Sequence, residues 1–266
     1  MNIAVISPHG RNTGNTTLAI LIALDLAQKG KRVCMTNANN MSHSLYEYFN
    51  LMDYEDKTST PSQVVKLLKE GSVKPEEVSD YCKKISDNLE LFCNNAKDFT
   101  ESDMQYMIEY IGSKLTHDYI IYDIDIGMNQ FPYHEMTKKI IGISDMVILN
   151  INQSIKQLTE IKSIKKDMLE LLGNKPTIVV ISRFDDSQST IKETANWMGV
   201  KKPNNWLVMR NNPWICWGTN HGKITQVYKK IIEKDERVMD VASDLDKISN
   251  NIIKNNKYNK GKTGEN

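Results

Sequence analysis

The stretch "SPHGRNTGNTT", Ser7 to Thr17, decides the reading of this chain. An apolar run, "NIAVI" (Asn2 to Ile6), leads into it, and a helix-like run, "TTLAILIALDLAQKG", leads out of it with Gly30 as its stop. A Gly-bearing turn between a strand and a helix is where a phosphate-binding loop sits, because the first N–H groups of the helix have no intrahelical partner and can face an anion. The generic loop reads G-x-x-x-x-G-K-[ST]. The window here is "HGRNTGNT": Gly14 holds the second glycine, Asn15 the lysine position and Thr16 the hydroxyl position, with Thr17 after it.

Outward from this loop the pattern repeats. Short apolar runs at 31–37, 89–95, 118–125, 145–151, 176–182 and 204–210 are separated by segments with helical spacing, among them 100–115. Such alternation predicts an α/β fold, a mostly parallel central sheet of seven or eight strands with helices on both faces. Residues 2–7 should lie centrally, and ligands should bind beyond the carboxyl ends of the strands. Val238, Val241, Leu245, Ile248 and Ile252 form one apolar stripe on a terminal helix. The chain is expected to be one P-loop-like domain over residues 1–250, with 251–266, rich in Asn, Lys and Gly, a disordered basic tail.

Composition narrows the function classes. The 266 residues carry a net charge of +1, which does not indicate a protein that coats nucleic acid, although a local basic patch stays open. No apolar run reaches the ~20 residues of a membrane span. The N-terminus lacks signal-peptide features, so the expected location is cytoplasmic. The four cysteines, Cys34, Cys82, Cys93 and Cys216, form no Cys-x-x-Cys pair and read as reduced core residues. The five histidines, His9, His43, His117, His134 and His221, show no metal-ligand spacing.

The whole layout resembles the ParA/MinD family of deviant Walker P-loop ATPases. The segments that carry the resemblance are the loop, "RVCMTNANN" after the second strand, "HDYIIYDIDIG" at the Walker B strand, "SDMVILNINQS", "VVISRFD" and "NNPWICWGTNHGKI", in order from residue 1 to about residue 230. The resemblance implies ATP or ADP and Mg2+ as ligands. It also implies a homodimer, and a protein cargo or adaptor as partner. By the same resemblance Asp123 is the Walker B aspartate, and Thr16 with Asp123 would hold the metal. Gly10, Arg11, Asn12, Thr13, Gly14, Asn15, Thr16, Thr17 and, on the base side, Arg183 would hold the nucleotide.

Set beside that family's pattern, the charged chemistry is missing. The loop lysine is Asn15, the signature lysine that bridges a nucleotide-linked dimer falls on Gly10, and the aspartates after the second strand are Asn37 and Asn39. Lysines neutralise β- and γ-phosphate charge as it redistributes, and carboxylates near the metal hold its water shell or orient the attacking water. Asparagine does neither. No catalytic residue is therefore assigned, and ATP hydrolysis is expected to be absent or very weak. The resulting expectation is a degenerate spatial organiser that marks a place for pilus, secretion or mobile-element machinery, akin to Tad pilus or CpaE-type localisation proteins. The alternative is an active partitioning ATPase. Arg11 and Asp125 are further candidates for a phosphate-side cation and a second metal-side carboxylate. Trp206, Trp214 and Trp217 read as packing residues near the base-side loop.

Overall fold

The fold is described from a computed structural model, for residues 1–8, 13–37, 44–51, 61–93, 106, 108, 114–124 and 135–263. The strands are β1 Asn2–Ile6, β2 Val33–Asn37, β3 Lys83–Lys84, β4 Leu89–Leu91, β5 Tyr119–Ile124, β6 Met146–Ile151, β7 Thr177–Phe184 and β8 Trp206–Arg210. They form one eight-stranded sheet in the order β3-β4-β2-β5-β1-β6-β7-β8. Every pair is parallel except the antiparallel β3–β4 pair at one edge. The mostly parallel sheet expected from the alternation is therefore present, with β1 between β5 and β6. Ile3, Ala4, Val5 and Ile6 are fully buried, as a central strand covered on both faces requires.

The helices are α1 Asn15–Gln28, α2 Ser44–Tyr48, α3 Pro61–Lys69, α4 Glu135–Ile143, α5 Ile155–Ser163, α6 Lys165–Leu172, α7 Ile191–Trp197, α8 Pro213–Asn220, α9 Ile224–Ile232 and α10 Met239–Thr263. A 3-10 helix, Pro75–Tyr81, precedes β3. Two apolar layers flank the sheet. One gathers α1, α9 and α10 against β1, β2 and β5 through residues such as Leu18, Ile22, Val227 and Leu245. The other gathers Ile140, Leu158, Met168 and Ala195 on the opposite face. Most of the helix expected over 100–115 lies outside the described residues.

Helix α1 is apolar almost all round because α9 and α10 cover the side away from the sheet. Its buried Asp25 is tied down: the Tyr228 hydroxyl donates to it at 3.0 Å, and Lys29 bridges it to Asp246. Burial, reinforced by the charge of Asp25, pushes the Tyr228 phenol well above its ordinary range.

The C-terminal segment departs from expectation. The predicted stripe is present, with Val238, Val241, Leu245, Ile248 and Ile252 fully buried. The helix does not stop near residue 250 but continues to Thr263, through residues expected to form a disordered tail. Composition alone hid the anchors. Asn255 Nδ2 donates to Asn251 one turn back at 2.9 Å, and Asn256 Nδ2 donates to the Tyr119 hydroxyl at 3.1 Å. Among the described residues no helix is long and apolar enough to cross a membrane.

Candidate nucleotide site

The loop reaches α1 at the carboxyl ends of β1 and β5, where the topology places a ligand crevice. Gly14 is the N-cap residue with φ 76°, in the left-handed region that a glycine enters without a Cβ penalty. The first intrahelical bond runs from Leu18 N to Gly14 O at 2.9 Å. The N–H groups of Asn15, Thr16 and Thr17 precede the ladder and stand at the positive end of a 14-residue helix.

Asn15 is only 5% exposed, and its side chain points down into the sheet. Its Nδ2 donates to Val5 O at 3.1 Å, to Asp123 Oδ1 at 2.9 Å and to Ile124 O at 3.2 Å. Thr16 Oγ1 donates to the other carboxylate oxygen, Asp123 Oδ2, at 2.7 Å. The register explains the convergence. Val5 on β1 and Asn37 on β2 both pair with Asp123 on β5, so the Walker B position lies directly under the loop. A second carboxamide, Asn150 at the end of β6, donates to Thr13 O at 3.3 Å. Two neutral amides thus bolt the loop to three strand ends.

Arg183 sits at the opposite wall. It bulges out of β7, since the β7–β8 register shifts between Ser182 and Phe184. Its φ is 53°, a left-handed conformation that costs a non-glycine residue about 1–3 kcal/mol. The bulge turns the guanidinium over the loop: a methyl added to Gly14 would meet Arg183 Nε at 3.8 Å. The neighbouring Arg210 is engaged by Asp244 at 2.8 Å and lies 3.7 Å from Asp186, whereas Arg183 has no ion pair among the described residues. Tyr48 of α2 closes the same corner. Burial raises its phenol, and its hydrogen bond with Thr17 and the charge of Arg183 offset part of that rise. Gly14, Thr17, Ser182, Arg183, Asn211 and Ile215 line one cleft.

The sequence-predicted residues Thr13, Gly14, Asn15, Thr16, Thr17, Asp123 and Arg183 meet at this one crevice. Gly10, Arg11, Asn12, Asn39 and Asp125 lie outside the described residues. The donor set fits the implied ligands. Thr16 and Asp123 present two hard oxygens suited to Mg2+, and the open helix N-terminus beside an arginine suits phosphate. Thr16 and Asp123 would hold Mg2+, which would supply positive charge against that of the phosphates. Asn150 and Tyr48 were not singled out from sequence; an asparagine inside the apolar run "MVILNI" is the signal for the first. Trp206 is buried and Trp214 packs against the core, with the Arg237 guanidinium 4.6 Å from its ring centre. Trp206 and Trp214 thus pack as expected, whereas Trp217 is exposed, with its ring stacked on His221; the cleft wall is made by Ile215, Cys216 and Thr219 of α8.

These features define the fold class: an α/β fold of the P-loop NTPase type. Solved structures with the same fold are of the ParA/MinD type. The chain is similar to a ParA family ATPase of Chlorobium tepidum, with TM-score 0.67, 16% identity, and 92% of this chain and 95% of that one covered. It is similar to the septum site-determining protein MinD of Pyrococcus horikoshii complexed with Mg-ADP, with TM-score 0.65, 18% identity, and 93% and 96% covered. It is also similar to a plasmid partition protein of Borrelia burgdorferi bound to AMPPNP, with TM-score 0.61, 17% identity, and 87% and 96% covered. No family model matches the sequence, and no curated protein matches it. The shared property is the fold.

Proposed function

We propose that this chain binds ATP or ADP with Mg2+ at the loop 10–17 and the adjoining cleft, hydrolyses it at a negligible rate, and acts as a dimeric spatial organiser through partner proteins. The carrying observation is the inward side chain of Asn15. At the lysine position, the amide is spent on Val5 O, Asp123 and Ile124 O, and carries no charge toward a phosphate. Thr16, Asp123 and the helix N-terminus support retained binding, as do the Mg-ADP and AMPPNP held by two of the similar structures. The cargo class, pilus, secretion or mobile-element machinery, follows from the resemblance to localisation proteins with degenerate loops.

Among the described residues at the site, Arg183 then supplies positive charge. Arg183→Ala is expected to weaken ATP and ADP binding about tenfold or more, the usual worth of a charge-assisted contact. Displacement of a fluorescent ATP analogue measures this, with Lys192→Ala, an exposed lysine at the start of α7, as the unchanged control. Equal affinity in the Arg183 variant would remove it from the site.

Assembly follows from Gly10. A glycine cannot reach across an interface to a partner's nucleotide, so a dimer of this chain rests on side chains and backbone. Sedimentation is expected to give the same dimer fraction with and without ATP and Mg2+. A sharp shift from monomer to dimer on adding ATP would contradict the constitutive form.

A further inference from the structure

Toward the amino-terminal ends of the strands, away from the loop, three residues far apart in sequence converge. Cys34, the second residue of β2, is fully buried. Cys82 directly follows the 3-10 helix Pro75–Tyr81 and places its Sγ 4.0 Å from that of Cys34. His117 lies just before β5, with its side chain only 7% exposed. The two sulfurs and a ring nitrogen of His117 all lie within 4.8 Å of one another.

The imidazole is already oriented. Its Nε2 lies 2.8 Å from Glu90 Oε2, and Glu90 on β4 is the register partner of Cys34. Its Nδ1 is buried without a hydrogen-bond partner. With Nε2–H donated to Glu90, the Nδ1 lone pair is free and points to no protein donor. Carboxylate, histidine and vacant nitrogen in this order are the outer half of a metal–histidine–carboxylate arrangement, in which the carboxylate sets the tautomer that ligates.

We propose that Cys34, Cys82 and His117 bind a zinc ion, with Glu90 as the positioning residue for His117. Distances support a tetrahedral ion. Zn–S bonds of about 2.3 Å put two sulfurs about 3.8 Å apart, close to the separation found here. Two thiolates and an imidazole suit zinc over hard cations, and three protein ligands leave one position for water. Binding releases the two thiol protons to solvent and changes no oxidation state. The ion would tie three segments together: the sheet interior at β2, the excursion carrying α3 and the 3-10 helix, and the entry to β5. It would therefore act as a structural clamp at the amino-terminal ends of β2 and β5.

The test uses the full chain, reduced and stripped with a chelator, and titrated with Zn2+ against a chromophoric competitor and separately with Co2+. The expected result is about one equivalent per chain, thiolate-to-cobalt absorption with tetrahedral d–d bands, and a zinc-dependent rise in Tm. Cys82→Ser, at a half-buried position that tolerates a hydroxyl, should lose at least about 100-fold in affinity and the Tm response. Glu90→Gln should lose about 10–100-fold, and Cys216→Ser, at an exposed cysteine elsewhere, should lose nothing. Three results would overturn the proposal: no competition with the chelator, undiminished binding by the Cys82 variant, or a Cys34–Cys82 disulfide found by intact mass as the stable form that excludes metal under reducing conditions.

Discussion

Asn15→Leu is expected to lower the unfolding free energy by about 3–5 kcal/mol and Tm by about 10 °C, although it keeps the side chain's branched heavy-atom skeleton. The substitution removes the amide that donates to Val5 O, Ile124 O and Asp123 Oδ1. Each uncompensated buried acceptor costs about 1–3 kcal/mol, and the carboxylate stands at the upper end. Asp123 is 2% exposed, so water does not readily replace the lost amide. Thermal and urea unfolding check the value. Unchanged stability in the leucine variant would mean that the amide does not hold the loop, and the reading of Asn15 as a structural bolt would fail.

The second large effect concerns turnover. Steady-state ATP hydrolysis by the wild-type chain is expected at background. A cationic clamp on the transferring phosphoryl group is worth about 10³–10⁵ in rate, and here the loop lysine and the signature lysine are both replaced. Asn15→Lys alone is expected to restore little, because Asn37 and Asn39 still offer no carboxylate toward metal-bound water. It also removes the amide that ties the loop to Val5 and Ile124, so its Tm should fall. Robust Mg2+-dependent phosphate release by the wild-type chain would reject this, and would point to Arg183 as a cation strong enough to substitute.

Much of the architecture was legible because period and order are local properties. "NIAVIS" followed by a Gly-bearing turn and an apolar helix could be read as a central strand, loop and covering helix without knowing any long-range contact. The site was legible in part for the same reason: Gly14, Thr16 and Asp123 fall at fixed offsets from strand ends. The direction of the Asn15 side chain was not. Read along the chain, asparagine at a lysine position is a weakened phosphate ligand; in the fold it is a donor to three acceptors from two strands. Arg183 was placed by a bulge, and a one-residue register shift between β7 and β8 leaves no mark in composition. Cys34, Cys82 and His117 were invisible as a cluster because spacing rules detect ligands on one turn or hairpin. These three come from β2, the end of a 3-10 helix and the approach to β5. The terminal helix outran its expected end because single contacts, such as Asn256 to Tyr119, cannot be counted from an Asn-rich composition.

A phosphate loop bolted by an amide is expected to bind its nucleotide and leave it intact. Calorimetric titration of ATP into the purified chain with and without Mg2+, followed by chromatography of the nucleotide recovered from the same cell, tests it most directly. One nucleotide bound per chain, tighter with Mg2+, and ATP recovered unchanged are the expected results. No binding under either condition, or recovery of ADP in many-fold excess over protein, would contradict them.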